Sequence, residues 1–199
     1  RVLIAGTETI SRRVIESAPR LGLIARVGVG LDNVDLQAAR DNGVQVTFTP
    51  DAPAPAVADL TIGLILALLR QTHTANDLLH GGEWHRLMGR RIGDTTVGVI
   101  GVGRIGSRVI ELLNSLGVHH ILANDHEPSL TSVSTRNVEW VEKAELISTS
   151  DVLTVHVPLN KATRNMIGKS ELRAMKPDAV LINTARGGIV NESDLAEVL

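Results

Sequence analysis

The sequence predicts an α/β protein built on a doubly wound parallel sheet, joined to part of a second, smaller α/β unit. Three observations carry that prediction. Short apolar runs alternate with amphipathic helical stretches along the chain. The runs are nearly continuous in apolar character, as strands covered on both faces are. The strand–helix–strand repetition has the spacing of parallel strands joined by right-handed crossovers.

Taken in order, VLIA gives a strand over 2–5 and the amphipathic stretch after it a helix over 11–18. A strand over 23–27, a helix over 34–42 and a strand over 44–47 repeat the pattern. TPDAPAPAVAD (49–59) then holds three of the seven prolines, at 50, 53 and 55. Proline removes backbone donors and fixes φ, so this reads as a stiff connector, and it leads into one long helix over 57–79. Beyond it come strands over 96–100, 120–123, 152–157 and 179–183, with helices over 105–116, 141–147 and 169–175. The expected division is 1–52 as one partial domain, 53–80 as connector and interdomain helix, and 81–199 as a second, C-terminally incomplete domain. The chain opens on Arg1 inside a strand pattern and closes in the helical pattern NESDLAEVL, so a longer polypeptide is expected at both ends.

The bulk numbers narrow the classes. With 43% hydrophobic and 21% charged residues, the 199-residue chain suits a globular fold with a sizeable core. A net charge of −2 gives no basic face for a nucleic acid, and none is expected as a partner. Cysteine is absent, which removes disulfides, thiolate metal sites and a cysteine nucleophile and is compatible with a reducing cytoplasm. The most apolar run, LTIGLILALL (60–69), is half the length of a membrane span and reads as a buried helix, so no membrane partner is expected. No set of His, Asp and Glu has metal-ligand spacing, and no metal is expected.

TTVGVIGVGRIGSRVIELLNSLG places Gly101, Gly103 and Gly106 in G-x-G-x-x-G spacing, after a predicted strand and at the opening of an amphipathic helix. That context makes the motif a dinucleotide-binding, Rossmann-type turn. Gly101 allows the tight turn, Gly103 lets backbone approach a pyrophosphate, and Gly106 lets the helix pack close to the strand. The helix N-terminus supplies free N–H groups and partial positive charge. Arg104, inside the turn, either touches the pyrophosphate or faces water. The next strand ends near Asp125, nineteen positions after Gly106. A carboxylate there accepts the ribose hydroxyls and repels a 2′-phosphate, and no Lys or Arg follows until Arg136, so NAD is favoured over NADP.

In LINTARGGIVNE (181–192) a buried-strand run ends in an arginine followed by two glycines. Thr184, Ala185 and Arg186 emerge at the carboxyl end of a parallel strand, where ligands of open sheets bind. His156, Val157 and Pro158 emerge at the same edge. A planar fork of N–H donors at this place holds a carboxylate in bidentate fashion and polarises an adjacent carbonyl. Arg186 is thus expected in a site for a small anionic substrate beside a nicotinamide.

The motifs GVGLDNVD (28–35), GVGRIG (101–106), TVHVPLNKATRNMIG (154–168) and INTARGGIVNE (182–192), in this order, resemble those of the NAD-dependent D-2-hydroxyacid dehydrogenases, most closely the phosphoglycerate dehydrogenase-like branch. The resemblance covers essentially the whole chain. It implies a flavodoxin-like substrate domain and a nucleotide domain flanking a cleft. It also implies that the backbone of Gly28, Val29 and Gly30 lines the substrate carboxylate site. Arg104 and Ile105 would sit on the pyrophosphate, Asp125 on the adenosine ribose, Val157 and Pro158 beside the cofactor, and Thr184, Ala185 and Arg186 toward the nicotinamide. Arg186 matches the family's catalytic arginine. The implied reaction is reversible hydride transfer between NAD(H) and a small D-2-hydroxy or 2-oxo acid, in a cytoplasmic homodimer.

Two departures accompany the match. The family's catalytic glutamate and histidine lie downstream of the arginine, beyond Leu199, so this stretch alone is expected to be inactive. None of the seven histidines present replaces the missing acid–base: His156 falls in a cofactor-wall motif, and His119 and His120 open a strand. Asp59 stands where many relatives carry Glu, and Val29 where a hydroxyl can stand; either bears on substrate choice. A rival from another class is an NAD(H)-sensing corepressor-like binding protein of the same fold. A different Rossmann enzyme, such as a methyltransferase, is disfavoured by the ARGG motif in register with the glycine turn.

Overall fold

The apolar runs become short parallel strands, and the strands sort into two sheets. The computed structural model describes residues 1–126 and 137–199. It divides into two units, Arg1–Ala54 and Pro55–Leu199.

The first unit runs β1 (Val2–Ala5), α1 (Arg12–Glu16), β2 (Leu23–Arg26), α2 (Leu36–Asp41) and β3 (Gln45–Phe48). Its strands are parallel in the order β1-β2-β3, with Val2 opposite Leu23 and Leu23 opposite Gln45. Asp35 caps α2 by accepting the Ala38 N–H at 2.7 Å, which satisfies one of the N–H groups that a helix start leaves open. Ala5, Ile10, Ile15, Ile24, Val34, Ala38, Ala39 and Val44 form this unit's core.

The second unit opens with α3 (Ala54–Leu69), whose start lies at the boundary between the units, and α4 (Thr72–His80). Ala58, Thr61, Ile62, Ile65 and Leu69 recur at helical spacing on the buried face of α3. The sequence predicts one helix over 57–79; the structure has two, bent by 65°. Gln71 takes a left-handed conformation at φ 52°, and the N–H of Arg90 donates to the Leu69 carbonyl at 2.8 Å. Gln71 Nε2 donates to the Met88 carbonyl at 3.0 Å. A returning segment thus terminates α3, a tertiary cause with no Gly or Pro to announce it. Among the described residues no single helix is long and apolar enough to cross a membrane.

Then come β4 (Thr96–Ile100), α5 (Arg104–Ser115), β5 (His120–Asn124), β6 (Val138–Trp140), α6 (Lys143–Thr149), β7 (Val152–Val155), α7 (Lys169–Ala174), β8 (Val180–Asn183) and α8 (Glu192–Val198). The five strands are parallel in the order β6-β5-β4-β7-β8. The three-residue β6 is absent from the sequence expectation. Side chains alternate between the faces: Val97, Val99, Ile121 and Ala123 pack with α3 and α5, while Ile100, Leu122, Leu153 and Val155 pack with α6 and α7. This period of two, with helices covering both faces, makes the sheet doubly wound. The chain builds outward from β4 through β5 to β6, then crosses back to β7 and β8. The order reverses between β4 and β7, and the carboxyl ends of strands at such a reversal are where open α/β sheets bind ligands.

Candidate functional site

The glycine turn sits at that reversal. Gly101 follows β4 at φ 90°, and a Cβ there would lie 2.8 Å from the His156 carbonyl and from Val157 Cγ1. Only glycine lets the turn pass so close to the end of β7. At Gly106 a Cβ would lie 2.0 Å from the Gly101 carbonyl oxygen, so helix and turn touch backbone to backbone. Gly103 is different: a Cβ would meet nothing within 4 Å. Gly103 is the N-cap of α5 and has no side chain to spend on the helix start, so backbone at the turn lies beside open space. That arrangement fits a diphosphate, with Arg104 and Ile105 as the first helical residues.

Asp125 follows β5, and its Oδ2 accepts the Val102 N–H at 2.6 Å. The Gly101 N–H donates to the Asn124 carbonyl at 2.8 Å. The carboxylate therefore braces the turn, a duty that its spacing from Gly106 does not reveal. Arg136, the first basic residue after Asp125, lies outside the described residues.

β7 ends at Val155, two residues earlier than expected, and His156 continues its pairing by donating its N–H to the Ile100 carbonyl at 2.7 Å. The imidazole Nε2 is 2.9 Å from Thr154 Oγ1, while its buried Nδ1 has no partner among the described residues. Burial lowers its pKa from 6.5 to about 4, which makes His156 a neutral ring at physiological pH. Val157 and Pro158 lead off this edge. Thr163 Oγ1 donates to the Pro158 carbonyl at 2.6 Å, and Asn160 Oδ1 accepts the Ala162 N–H at 2.8 Å, so the wall they form is a braced turn.

β8 ends in the segment carrying Arg186, and Asn183 shapes it. Asn183 Oδ1 accepts the Ala185 N–H at 3.1 Å and its Nδ2 donates to the Arg186 carbonyl at 2.8 Å. These bonds fold Thr184, Ala185 and Arg186 back over the strand end. One guanidinium nitrogen of Arg186 donates to the Ala185 carbonyl at 2.8 Å. The structure thus brings the nucleotide-side residues named from the sequence to one edge of one sheet. Asn183 and the fully buried Thr61, which meets Thr184 at 2.9 Å, belong to the same edge and escaped sequence reasoning.

Gly28, Val29 and Gly30 belong to the first unit, where they follow β2 at the carboxyl edge of its sheet. Gly28 has φ 140°, and a Cβ there would lie 2.3 Å from the guanidinium of the buried Arg26. The N–H of Gly28 donates to Thr49 Oγ1 at 2.8 Å, and its carbonyl accepts the Thr49 N–H at 3.2 Å. Among the described residues no cluster of His, Asp and Glu is arranged to hold a metal ion.

Residues 62–199 match the family model for the D-isomer specific 2-hydroxyacid dehydrogenase, NAD binding domain. A D-3-phosphoglycerate dehydrogenase of Methanocaldococcus jannaschii is 40% identical over 201 residues, covering 100% of this chain and 38% of that protein. A hydroxypyruvate reductase of Thermotoga maritima is 38% identical over 199 residues, covering 98% of this chain and 64% of that protein. The solved D-lactate dehydrogenase of Aquifex aeolicus, complexed with NAD and lactic acid, superposes with a TM-score of 0.90 at 30% identity, over 98% of this chain and 60% of that one. The chain therefore spans less than two thirds of the length of these relatives. With the glycine turn at the sheet's reversal and a family match over most of its length, the chain belongs to the D-isomer specific 2-hydroxyacid dehydrogenases and carries their NAD-binding domain.

Proposed function

We propose that the protein carrying this chain is an NAD-dependent dehydrogenase moving a hydride between the nicotinamide and C2 of a small D-2-hydroxy or 2-oxo acid. One observation carries the reading: the glycine turn after β4 and the Arg186 segment after β8 open on the same edge of one sheet. In this reading the turn and the first N–H groups of α5 hold the diphosphate, and Asp125 receives the ribose hydroxyls. The bound nicotinamide supplies or accepts the hydride. Arg186 grips the substrate carboxylate through paired N–H donors and stabilises negative charge growing on the carbonyl oxygen. His156, neutral down to about pH 4, is no proton donor near neutrality. That duty falls to a histidine oriented by a carboxylate, proposed to lie beyond Leu199 in a protein of its relatives' length, so turnover is proposed to need more than this stretch.

The reading extends to a cytoplasmic homodimer. The lack of cysteine suits a reducing compartment, and the exposed stripe Leu60, Leu64 and Leu68 on α3 suits a partner surface. NADH oxidation by the protein against a panel of small 2-oxo acids tests the activity, and sedimentation tests the dimer. In that assay Arg186→Ala is expected to lower kcat/KM by about 10²–10³-fold, the scale of a lost charge-stabilising donor, with NADH affinity largely intact. Unchanged turnover in this variant removes Arg186 from the chemistry.

A further inference from the structure

Thr61 lies on the sheet-facing side of α3 with no exposed surface. Its Oγ1 donates to the Val57 carbonyl one turn back at 2.8 Å and lies 2.9 Å from Thr184 Oγ1. A carbonyl only accepts, and a hydroxyl has one proton. The proton of Thr61 is therefore committed to Val57, and Thr184 must be the donor to Thr61. Back-bonding to Val57 alone already satisfies a threonine buried in a helix. The second contact has no such local purpose, and it spans 123 positions to reach the half-buried first residue of the segment that carries Arg186. With its hydrogen directed at α3, Thr184 turns only lone pairs toward the ligand edge.

We propose that Thr61 is a positioning residue for the nucleotide site. By accepting the hydroxyl hydrogen of Thr184 it fixes that side chain's rotamer and makes its oxygen a pure acceptor, matched to an N–H or O–H donor on the nicotinamide half of a bound dinucleotide. The inference rests on the nucleotide reading above. It also ties α3 to the Arg186 segment through a bond that no apolar residue at 61 can make.

A double-mutant cycle read by NADH titration of the full chain, with quenching of tryptophan fluorescence as the signal, tests it. Thr61→Val is expected to weaken NADH binding about fivefold to tenfold, the scale of one lost hydrogen bond, and Thr61→Ser to bind within roughly twofold of the parent. Thr184→Val is expected to lose as much as Thr61→Val, and the double variant no more than Thr184→Val alone, because both changes remove one shared interaction. Two hydroxyls that act on the site independently give losses that multiply instead. Multiplying losses, or parental affinity in Thr61→Val, overturn the role of Thr61 and leave the nucleotide reading standing. No NADH binding by the parent chain overturns the nucleotide reading itself and this inference with it. Should Thr61→Val fail to fold, Thr61→Ala closes the same cycle.

Discussion

At Gly106 and Gly103, three positions apart, the same substitution has opposite consequences. A methyl group at 106 would sit 2.0 Å from the Gly101 carbonyl oxygen, and backbone on both sides leaves nothing flexible to yield. Gly106→Ala is expected to cost about 1–3 kcal/mol, as overpacking does, and to lower the melting temperature by several degrees. At 103 the backbone has φ −78°, which any residue adopts, and the space is open. Gly103→Ala is expected to melt within about 1 kcal/mol of the parent, the cost of a poorer N-cap, yet to lose NADH affinity tenfold or more. The lost affinity follows if the open space is where a diphosphate approaches the backbone. Paired melts and NADH titrations read both variants. A Gly103→Ala protein that binds NADH like the parent shows that the vacancy beside α5 is not the phosphate's place.

Among the elements, the end of β8 shows how a strand is turned into a site. Asn183 stands exposed at the last strand position and holds the next three residues through two bonds, one accepted from Ala185 and one donated to Arg186. Asn183→Ala breaks both, but water reaches the released groups, so the expected loss of stability is about 1 kcal/mol or less. The loss of order in the Arg186 segment acts on turnover more strongly: kcat is expected to fall about tenfold, because small misplacements of a positioning group are costly. Steady-state kinetics beside a thermal melt separate the two effects, and a variant with parental kcat shows that Arg186 is held by something other than the Asn183 turn. Asn183 also marks the limit of what patterning reveals. The strands of the large sheet other than β6 are legible within two residues at each end, because runs buried on both faces leave a continuous apolar signature. β6 is too short for such a signature, and the break between α3 and α4 depends on a backbone bond from Arg90, far along the chain. Gly101, Gly103, Gly106 and Arg186 are legible because their residue types are costly or idle elsewhere. Asn183 and Thr61 are not, since each is an ordinary residue until its partner is known.

For the molecule as a whole, the same burial that keeps His156 out of proton transfer sets how the fold responds to acid. The two units have separate cores, and in the second the half-buried His156 follows β7 with Thr154 as partner to Nε2. Its pKa is lowered from 6.5 to about 4 by desolvation. The unfolded chain therefore takes up a proton below pH 6.5 that the folded chain refuses until about pH 4. The stability is fully present above 6.5 and declines as pH falls toward 4, by a total on the order of 3 kcal/mol. Glu171 extends the decline. Burial alone would raise its pKa, but hydrogen bonds from Ser170, Lys143 and the Gly168 N–H override it and bring the value from 4.5 down to about 2. Its contribution is present above 4.5 and is lost as pH falls through the range down to 2. The two windows overlap and have the same sign, so the fold should weaken from mild acidity onward rather than only below the carboxylate range. Denaturant melts at pH 7, 5.5 and 4.5 are expected to show falling midpoints, and His156→Gln, which has no proton to take up, should flatten the part above pH 4.5. Equal stability of the parent at pH 7 and 5 means that the imidazole reaches solvent and is not held neutral by burial.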